Sequence, residues 1–410
     1  MPVRRAPPAS AREPGALGLY WKKNGDRPTI AVRGGIVELA FLNAVYTYGG
    51  PYAWAYLDTS RDTEEPDRML ALRRRQVCEE LVAQGADAAT VDALASVAGG
   101  DREIAGRHGQ AIVASHGEVV LTEELPEPPA HDEAMFAALP DLMPLAVQRA
   151  PDIRYVAATV HGPPRPPADP ADELEVAFQA GTWPSSAVAP SACHRMSGPV
   201  ADWLGGACVV ADSIAGLAHD TDAETIVLGG IVWARDTLAD RLAARWRRRL
   251  VTSSGNGRPA PPGRALMERE LTTVFRGQLC GTDRVRLDLF QARRTSRHGA
   301  VEGLPHVMAA LRRSQVGTLL LNVPLAFVRQ LYAAAGAAPN DLPDADLGPY
   351  GALVFRGNPA PAAVIRAAVR TGAGLVVVPR HQLPLDDGLG ALLRYAGPER
   401  TPFFARLLRR

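Results

Sequence analysis

Residues 153–250 constrain the fold of this chain more than any other stretch. An apolar run and an alternating run lead into a long irregular loop, and a helical pattern, a second apolar run and a second helical pattern follow it. The predicted strands are 153–160, 174–178 and 225–232, the loop is 179–199, and the predicted helices are 200–217 and 234–250. Because each apolar strand needs a helix to cover its face, this order predicts an α/β domain with a parallel or mixed sheet.

Similar patterns on both sides of this stretch predict two further α/β domains. A chain of 410 residues is long for a single core, so two or three domains are expected. The predicted units are a flexible, basic, proline-rich tail (1–35), an N-terminal α/β domain (36–150), a middle domain (151–282) and a C-terminal α/β/α sandwich (283–410). In the last unit, we expect a proline- and aspartate-rich linker at 339–349 and a strand at 351–355.

Composition excludes few classes of function. A formal net charge of +1 neither indicates nor excludes nucleic-acid binding, since total charge hides local patches. Four cysteines that never pair at metal-ligand spacing predict neither a zinc site nor a disulfide framework, which is typical of a cytoplasmic protein. No stretch reaches the roughly 18 uncharged apolar residues of a membrane span, so we expect no membrane partner. No cofactor motif is present.

The usual catalytic patterns are missing from the sequence. It contains no phosphate-binding loop, no serine nucleophile elbow and no HExxH pair. Cys193 stands beside His194, but neighbouring side chains usually diverge, so a loop thiol without a chemical role is the better interpretation. Asp58, Asp62 and Asp67 are predicted to cap a helix rather than to bind a metal.

Two more sets of polar residues receive structural interpretations. Asp386 and Asp387 precede Gly388 and an apolar run, which predicts a helix N-terminus. His108 and His116 flank a predicted hairpin and are expected to be exposed turn residues. None of these residues is therefore a predicted site.

The loop 179–199 is the first candidate for RNA contact. It carries Trp183, His194 and Arg195, which suit stacking on or pairing with exposed RNA bases. The alternative, a loop folded over its own domain, remains open.

A second candidate is the cluster Arg245, Trp246, Arg247, Arg248 and Arg249 in the last turn of a predicted helix. Positive charge there complements the helix dipole, which is the structural interpretation. A basic patch with an aromatic residue also suits a phosphate backbone. Both interpretations remain open.

Three sequence blocks resemble a known family. They are Gly-Pro-Tyr-Ala at 50–53 with Tyr-Leu-Asp-Thr-Ser-Arg-Asp-Thr at 56–63, His-Gly-Gln-Ala-Ile-Val-Ala at 108–114 with Leu-Met-Pro-Leu at 142–145, and Asp-Gly-Leu-Gly-Ala-Leu-Leu-Arg-Tyr-Ala at 387–396. In this order they resemble the actinobacterial release-factor-like family, bacterial relatives of archaeal and eukaryotic class 1 release factors and Pelota. The family includes ribosome hibernation factors, and the resemblance covers about residues 46–396.

The resemblance implies three α/β domains in release-factor-like order, with an RNase H-like middle domain. It also implies that the first domain faces the decoding centre, the second reaches the peptidyl-transferase centre and the third docks near the factor-binding side. Release factors carry Gly-Gly-Gln on the middle-domain loop, but this sequence lacks that tripeptide, and Arg276-Gly277-Gln278 lies in another region. The Asn-Ile-Lys-Ser element that engages stop codons is also absent.

The resulting hypothesis is a non-catalytic, ribosome-binding hibernation factor of the translation and stress response. It would occupy the A site of idle ribosomes through rRNA, with delivery by an elongation factor left open and with no DNA partner. This hypothesis requires a middle-domain tip that projects. The alternatives are a peptidyl-tRNA hydrolase or rescue factor using a non-standard loop group, a nuclease, and a stress-related protein-binding module.

Overall fold

A computed structural model describes residues 22–24, 39–164, 172–255, 260–261, 263–323 and 360–395 of this protein. Within them the chain forms three sheets, each covered by helices. The sequence predicted an α/β fold, and this prediction is confirmed. The predicted linker 339–349 and the predicted strand 351–355 lie outside the described residues.

The first described strand, β1 (Lys22–Asn24), lies inside the segment predicted to be a flexible tail. The first unit then follows as a 3₁₀ helix (Leu39–Leu42), α1 (Asn43–Thr47), β2 (Tyr52–Asp58), α2 (Pro66–Ala83), α3 (Ala88–Val97), β3 (Gly109–Ser115), β4 (Glu118–Leu125), β5 (Glu133–Ala137) and α4 (Met143–Arg149). Its antiparallel sheet has the order β4-β3-β2-β5. The hairpin turns at His116 and Gly117, whose positive φ values of 51° and 80° suit a tight β-turn.

The middle unit consists of β6 (Ile153–His161), β7 (Glu173–Trp183), a 3₁₀ helix (Ser185–Ala187), β8 (His194–Pro199), a 3₁₀ helix (Val200–Asp202), α5 (Trp203–Asp220), β9 (Thr225–Gly230), α6 (Val232–Arg241), α7 (Ala244–Arg247), β10 (Leu250–Thr252) and α8 (Glu268–Phe275). Its sheet has the order β1-β8-β7-β6-β9-β10. Strands β6, β7 and β8 form an antiparallel meander, and β9 and β10 continue parallel to β6. This is RNase H-like topology, so that prediction is confirmed.

Alternation along β6 and β7 explains why both faces of the middle sheet are covered. Val156, Val176 and Phe178 point towards α5 and α6, and this face also buries Trp246. Tyr155 and its neighbours point the other way, towards the segment that ends in α8. The continuous stretch Val200–Asp220 is long and apolar enough to cross a membrane by length and composition, but one side of it packs on this sheet as core.

The third unit consists of α9 (Gly281–Thr295), β11 (Ala300–Glu302), α10 (Leu304–Arg312), β12 (Val316–Val323), α11 (Ala360–Thr371), β13 (Gly374–Pro379), a 3₁₀ helix (Asp386–Gly388) and β14 (Leu389–Leu393). Its sheet has the order β11-β14-β12-β13. Phe290 of α9 packs on one face, and side chains of α10 and α11 pack on the other. The predicted α/β/α sandwich is therefore confirmed. The predicted domain boundary between residues 282 and 283 falls inside α9.

The helix predicted after Asp386 and Asp387 is wrong, because the chain enters strand β14 there. Asp387 instead accepts a hydrogen bond from the backbone N–H of Leu304, 3.1 Å away, at the start of α10. The residue type was a correct sign of a helix N-terminus, but the helix lies 83 residues earlier in the chain.

The first and third units share one hydrophobic core. A single buried cluster contains Leu42 and Tyr52 of the first unit together with Val307 and Ile365 of the third. The middle unit contacts the first through Arg264, whose guanidinium donates to the carbonyl oxygens of Ala105 (2.5 Å) and Arg107.

Candidate functional site

The predicted arginine cluster lies at a turn rather than in the last turn of one helix. The helix predicted for 234–250 ends at Arg241, because Leu242 is buried with extended backbone (φ −65°, ψ 142°). A short α7 follows, and Leu250 then pairs with Ile226 as the start of β10. The single-helix prediction is therefore wrong, and with it the dipole explanation for the whole cluster.

Trp246 belongs to the core and is not an RNA-stacking surface. It is 5% exposed and packs in the cluster beneath α5 and α6. The guanidinium carbons of Arg245 and Arg249 lie 5.4 Å and 5.8 Å from the centre of its ring. Cation–π attraction at this distance holds the two guanidinium groups over the ring. The face of Trp246 is therefore occupied by arginines and is not available for stacking on a ligand.

The arginine groove is an open cavity of about 940 Å³ beside this turn, between α7 and the start of α9. Its lining residues are Arg154, Ala218, His219, Asp222, Ala223, Glu224, Arg245, Trp246, Arg248, Arg249, Gly281, Thr282 and Arg284. Five arginines thus face two carboxylates, and both carboxylates lie against Arg154, at 3.7 Å (Asp222) and 3.6 Å (Glu224). Arg247 is exposed but does not line the groove.

Sequence reasoning missed Arg154 and Arg284 as partners of the cluster. Arg154 is the second residue of β6, and Arg284 lies in the first turn of α9, 130 positions later. Only the parallel pairing of β6 with β9 and the position of α9 bring them together. No local sequence signal could have joined them.

Residues of the other candidate, the loop 179–199, are engaged by the fold. Trp183 ends strand β7, and its ring centre lies 6.1 Å from that of Phe275. His194 begins strand β8 and stacks on Phe178 at 5.2 Å. Arg195 forms an exposed ion pair with Glu175 at 2.6 Å. The expectation of a long irregular loop is therefore wrong, because strands β7 and β8 occupy both of its ends.

What remains irregular, the tip at residues 184–193, is held down on the middle domain. The amide of Gln179, 2% exposed, donates to the Ser191 carbonyl oxygen (2.6 Å) and accepts from the Leu266 N–H (2.8 Å). The Arg264 guanidinium donates to the Ala187 carbonyl oxygen at 3.1 Å. Buried hydrogen bonds of this kind favour one loop conformation, since breaking them leaves unsatisfied groups. The tip therefore does not project, contrary to expectation.

A third clamp on the tip comes from β6. The Tyr155 hydroxyl donates to the Ser186 hydroxyl oxygen at 2.8 Å, inside the core. Gly181 makes room for this contact, since a Cβ there would lie 2.6 Å from the Tyr155 hydroxyl oxygen. Burial raises the pKa of Tyr155 and keeps the phenol neutral.

A second cavity, of about 450 Å³, lies between this tip, the ends of β6 to β8 and residues 260–261 and 263–266. Cys193 and His161 both line it. Burial raises the pKa of the Cys193 thiol and lowers the pKa of His161. A raised thiol pKa disfavours the thiolate that nucleophilic catalysis requires, which agrees with the interpretation of Cys193 as a loop thiol without a chemical role.

Two of the three carboxylates considered as helix caps, Asp58 and Asp67, serve as ion-pair partners. Glu65 precedes α2 without a side-chain cap, so the capping prediction for Asp58, Asp62 and Asp67 is wrong. Asp58 pairs with Arg73 at 3.0 Å. Asp67 contacts two arginines of the first unit. Across the described part of the chain, no group of three or more His, Cys, Asp or Glu side chains is placed to hold a metal ion.

The two histidines of the first unit have different environments. His116 is exposed at the hairpin turn, as predicted. His108 is completely buried, so the prediction for it is wrong. Its backbone N–H and carbonyl bond to Ser60 (3.2 Å each), and burial lowers the pKa of the ring. It is a core residue beneath the contact between the first and middle units.

The middle unit, second among three α/β units, combines RNase H-like topology with the arginine groove. Residues 154–296 match the model of bacterial archaeo-eukaryotic release factor family 2, which confirms the resemblance found in the sequence. Every residue of the arginine groove lies within this matched segment.

Two proteins of Mycobacterium tuberculosis are similar over most of the chain. The uncharacterized proteins MT2704 (strain CDC 1551) and Rv2629 (strain H37Rv) are each 27% identical over 373 residues, which covers 86% of this chain and 95% of theirs.

Similar solved structures include the Pelota of Archaeoglobus fulgidus, with 10% identity, coverage of 88% of this chain and 93% of that one, and a TM-score of 0.34. The unlabelled Dom34 of S. cerevisiae has 10% identity, coverage of 88% and 94%, and a TM-score of 0.29. An archaeal Pelota described as ribosome-bound with ABCE1 has 14% identity, coverage of 87% and 94%, and a TM-score of 0.31.

Proposed function

We propose that this protein is a cytoplasmic, ribosome-binding translation factor that occupies the A site of idle ribosomes without catalysing a reaction. The match of residues 154–296 to a release-factor family carries the proposal, together with the absence of Gly-Gly-Gln from that same sequence. Release requires a positioned group that brings water to the ester bond, and the clamped tip offers no such group on a projecting loop.

The structure changes the part of the molecule that we assign to RNA contact. A projecting tip was the requirement of the sequence-based hypothesis, and the tip is instead packed on its own domain. The arginine groove lies in the same matched segment and carries an excess of positive charge that its neighbours do not balance. We therefore assign ribosome contact to Arg245, Arg248 and Arg249, with Arg154 and Arg284, rather than to Trp183, His194 and Arg195.

Cosedimentation with purified vacant ribosomes at moderate salt tests this function. We expect the full chain to comigrate with vacant ribosomes, and prior filling of the A site with tRNA should displace it, because both compete for one site. Failure to comigrate would refute ribosome binding. Comigration that is indifferent to A-site tRNA would refute the A-site assignment.

Catalysis is tested on the same particles. Ribosomes carrying labelled peptidyl-tRNA should keep their label when the protein is added, because burial raises the pKa of the Cys193 thiol and no release tripeptide is present. Release of label that disappears in the His194→Ala variant would instead establish the peptidyl-tRNA hydrolase alternative. The stress-related module would show as a stable protein partner beside an unchanged ribosome profile.

A further inference from the structure

Most of the positive charge in the arginine groove has no acidic partner among the described residues. Arg245, Arg248 and Arg249 have no carboxylate within ion-pair distance there. The acidic residues of the groove, Asp222 and Glu224, are both oriented towards Arg154, and Glu224 also accepts from the Gly281 N–H at 2.5 Å. The groove therefore keeps an excess of cationic side chains in and just after α7 and on the wall formed by α9.

The opposite wall is the start of α9. Arg284 lines it, and its guanidinium makes one long hydrogen bond, 3.3 Å, to the Leu279 carbonyl oxygen. Four guanidinium groups thus face the same cavity from two elements. Guanidinium groups donate in a fixed fork that matches phosphate oxygens, so a row of phosphates is the ligand chemistry that fits best.

The groove offers little ring surface for stacking nucleobases. Among its described lining residues, Trp246 is buried under two arginines, His219 is the one exposed ring, and no asparagine or glutamine is present. Single-stranded nucleic acid is usually held by stacking bases on exposed aromatic rings, worth about 1–3 kcal/mol per base. A single strand would become ordered here with only His219 to supply such stacking.

A double helix does not have this disadvantage. Its bases are already stacked on each other, so binding its backbone requires no new stacking and little ordering of the ligand. We propose that the arginine groove binds the sugar–phosphate backbone of a nucleic-acid double helix without reading its bases. That the helix is RNA rests on the proposed ribosomal function.

The test compares two neighbouring arginines of equal charge. Binding of the full-length protein to a labelled RNA hairpin stem is measured by fluorescence anisotropy over a series of salt concentrations. We expect Arg248→Ala to weaken binding about fivefold and to reduce the magnitude of the salt slope by about one. Arg247→Ala is the matched control, since Arg247 is exposed in the same turn but lies outside the groove, and its effect should stay below about twofold.

Ligand class is tested with the same protein. An unpaired strand of the same sequence should bind more weakly than the stem, and GTP or pyrophosphate should compete only at high concentration. Equal losses in the Arg247 and Arg248 variants, tighter binding of the unpaired strand, or full displacement by low concentrations of GTP would each overturn the inference. The last result would indicate a nucleotide site instead.

Ribosome cosedimentation separates this inference from the function on which it rests. If ribosomes bind the Arg248→Ala variant as well as they bind the wild type, the groove inference fails while the function stands. If the stem behaves as expected but ribosomes do not bind, the function fails and the groove still binds double helices.

Discussion

The strand ends that flank the tip of the middle domain and the arginine groove contain similar residue types with opposite consequences. Each region combines arginine with tryptophan and lies within the segment of release-factor similarity. Beside the tip, Trp183 packs on Phe275 and Arg195 pairs with Glu175, so these side chains serve the fold. In the groove, Trp246 is buried and the arginines beside it remain without acidic partners among the described residues.

The difference teaches that residue type does not decide which basic patch is free for a ligand. The deciding factor is whether the surrounding structure places an acidic group beside each arginine or leaves its charge unpaired. A strand partner supplies Glu175 to Arg195, whereas a buried ring supports Arg245 and Arg249 without neutralising them.

The largest expected effect is a loss of stability when the contacts that hold the tip are removed. Arg264→Ala removes a 5%-exposed side chain that bonds Ala105, Arg107 and Ala187 and pairs with Glu268 at 3.1 Å. The loss leaves three backbone carbonyl oxygens without their donor and Glu268, which is 35% exposed, without its partner, so it should lower the free energy of unfolding by about 3–5 kcal/mol. Urea unfolding measures this loss, and proteolysis should begin to cut the tip.

Arg269→Ala is the control for that variant. Arg269 is an exposed neighbour of Glu268, so its loss should change the free energy of unfolding by less than about 0.5 kcal/mol. Equal stability of the two variants would mean that Arg264 does not hold the tip.

A smaller loss of stability should distinguish a buried glutamine that bonds the backbone from an exposed one. Gln179 and Gln84 each donate to one backbone carbonyl and accept from one backbone N–H, but Gln179 is buried and Gln84 is exposed. We expect Gln179→Ala to cost about 3 kcal/mol and Gln84→Ala about 1 kcal/mol, because water replaces only the exposed bonds. Chemical denaturation of both variants gives the comparison, and a cost for Gln179→Ala no larger than that for Gln84→Ala would contradict it.

A pH-dependent effect tests the wall of the groove. Asp283 of α9 is 5% exposed, and burial raises its pKa to about 6, while Arg286 at 3.0 Å works against that rise. Because the folded pKa lies above the usual carboxyl value of 3.8, protonation stabilises the fold. The stabilisation is complete below about pH 4 and is lost as the pH rises through about 6.

Asp283→Asn should remove this dependence. We expect the difference in unfolding free energy between wild type and variant to change by about 2 kcal/mol between about pH 4.5 and about pH 7.5. The variant should gain relative stability at the higher pH. Parallel pH profiles for the two proteins would show that Asp283 does not carry a raised pKa.

The smallest expected effect comes from leaving an arginine beside the tip without its acidic partner, as the arginines of the groove are. Glu175→Gln removes the acidic partner of Arg195, which is 56% exposed and therefore free to meet a ligand. We expect RNA-stem affinity to rise by no more than about twofold, because exposed ion pairs withhold little charge. Anisotropy at low salt measures the change. A rise as large as the loss in Arg248→Ala would mean that the tip and the groove contribute equally.

Local sequence patterns predicted the strands of the middle domain, but they did not predict which side chains are exposed on its surface. The apolar runs of β6 and β9 and the alternation in β7 predicted the strands, since apolar strand residues need to be buried against a covering layer. The ends of the predicted loop 179–199 were misjudged because Gly181 and Thr182 interrupt the apolar alternation of a strand that continues to Trp183. Burial of His108 was also invisible locally, because its hydrogen-bond partners Thr59 and Ser60 lie 49 and 48 positions earlier in the chain.

By itself, the sequence determined three α/β units, their order, the RNase H-like middle and the resemblance to release factors, because these depend on periodicity and on motifs that adjacent residues carry. Tertiary structure alone decided which arginines are free. Arg154, Arg248 and Arg284 meet only through the parallel pairing of strands and the packing of α9, and Arg195 acquires its partner only across a strand pair. Charge compensation acts through distances in space, and a sequence read residue by residue does not contain those distances.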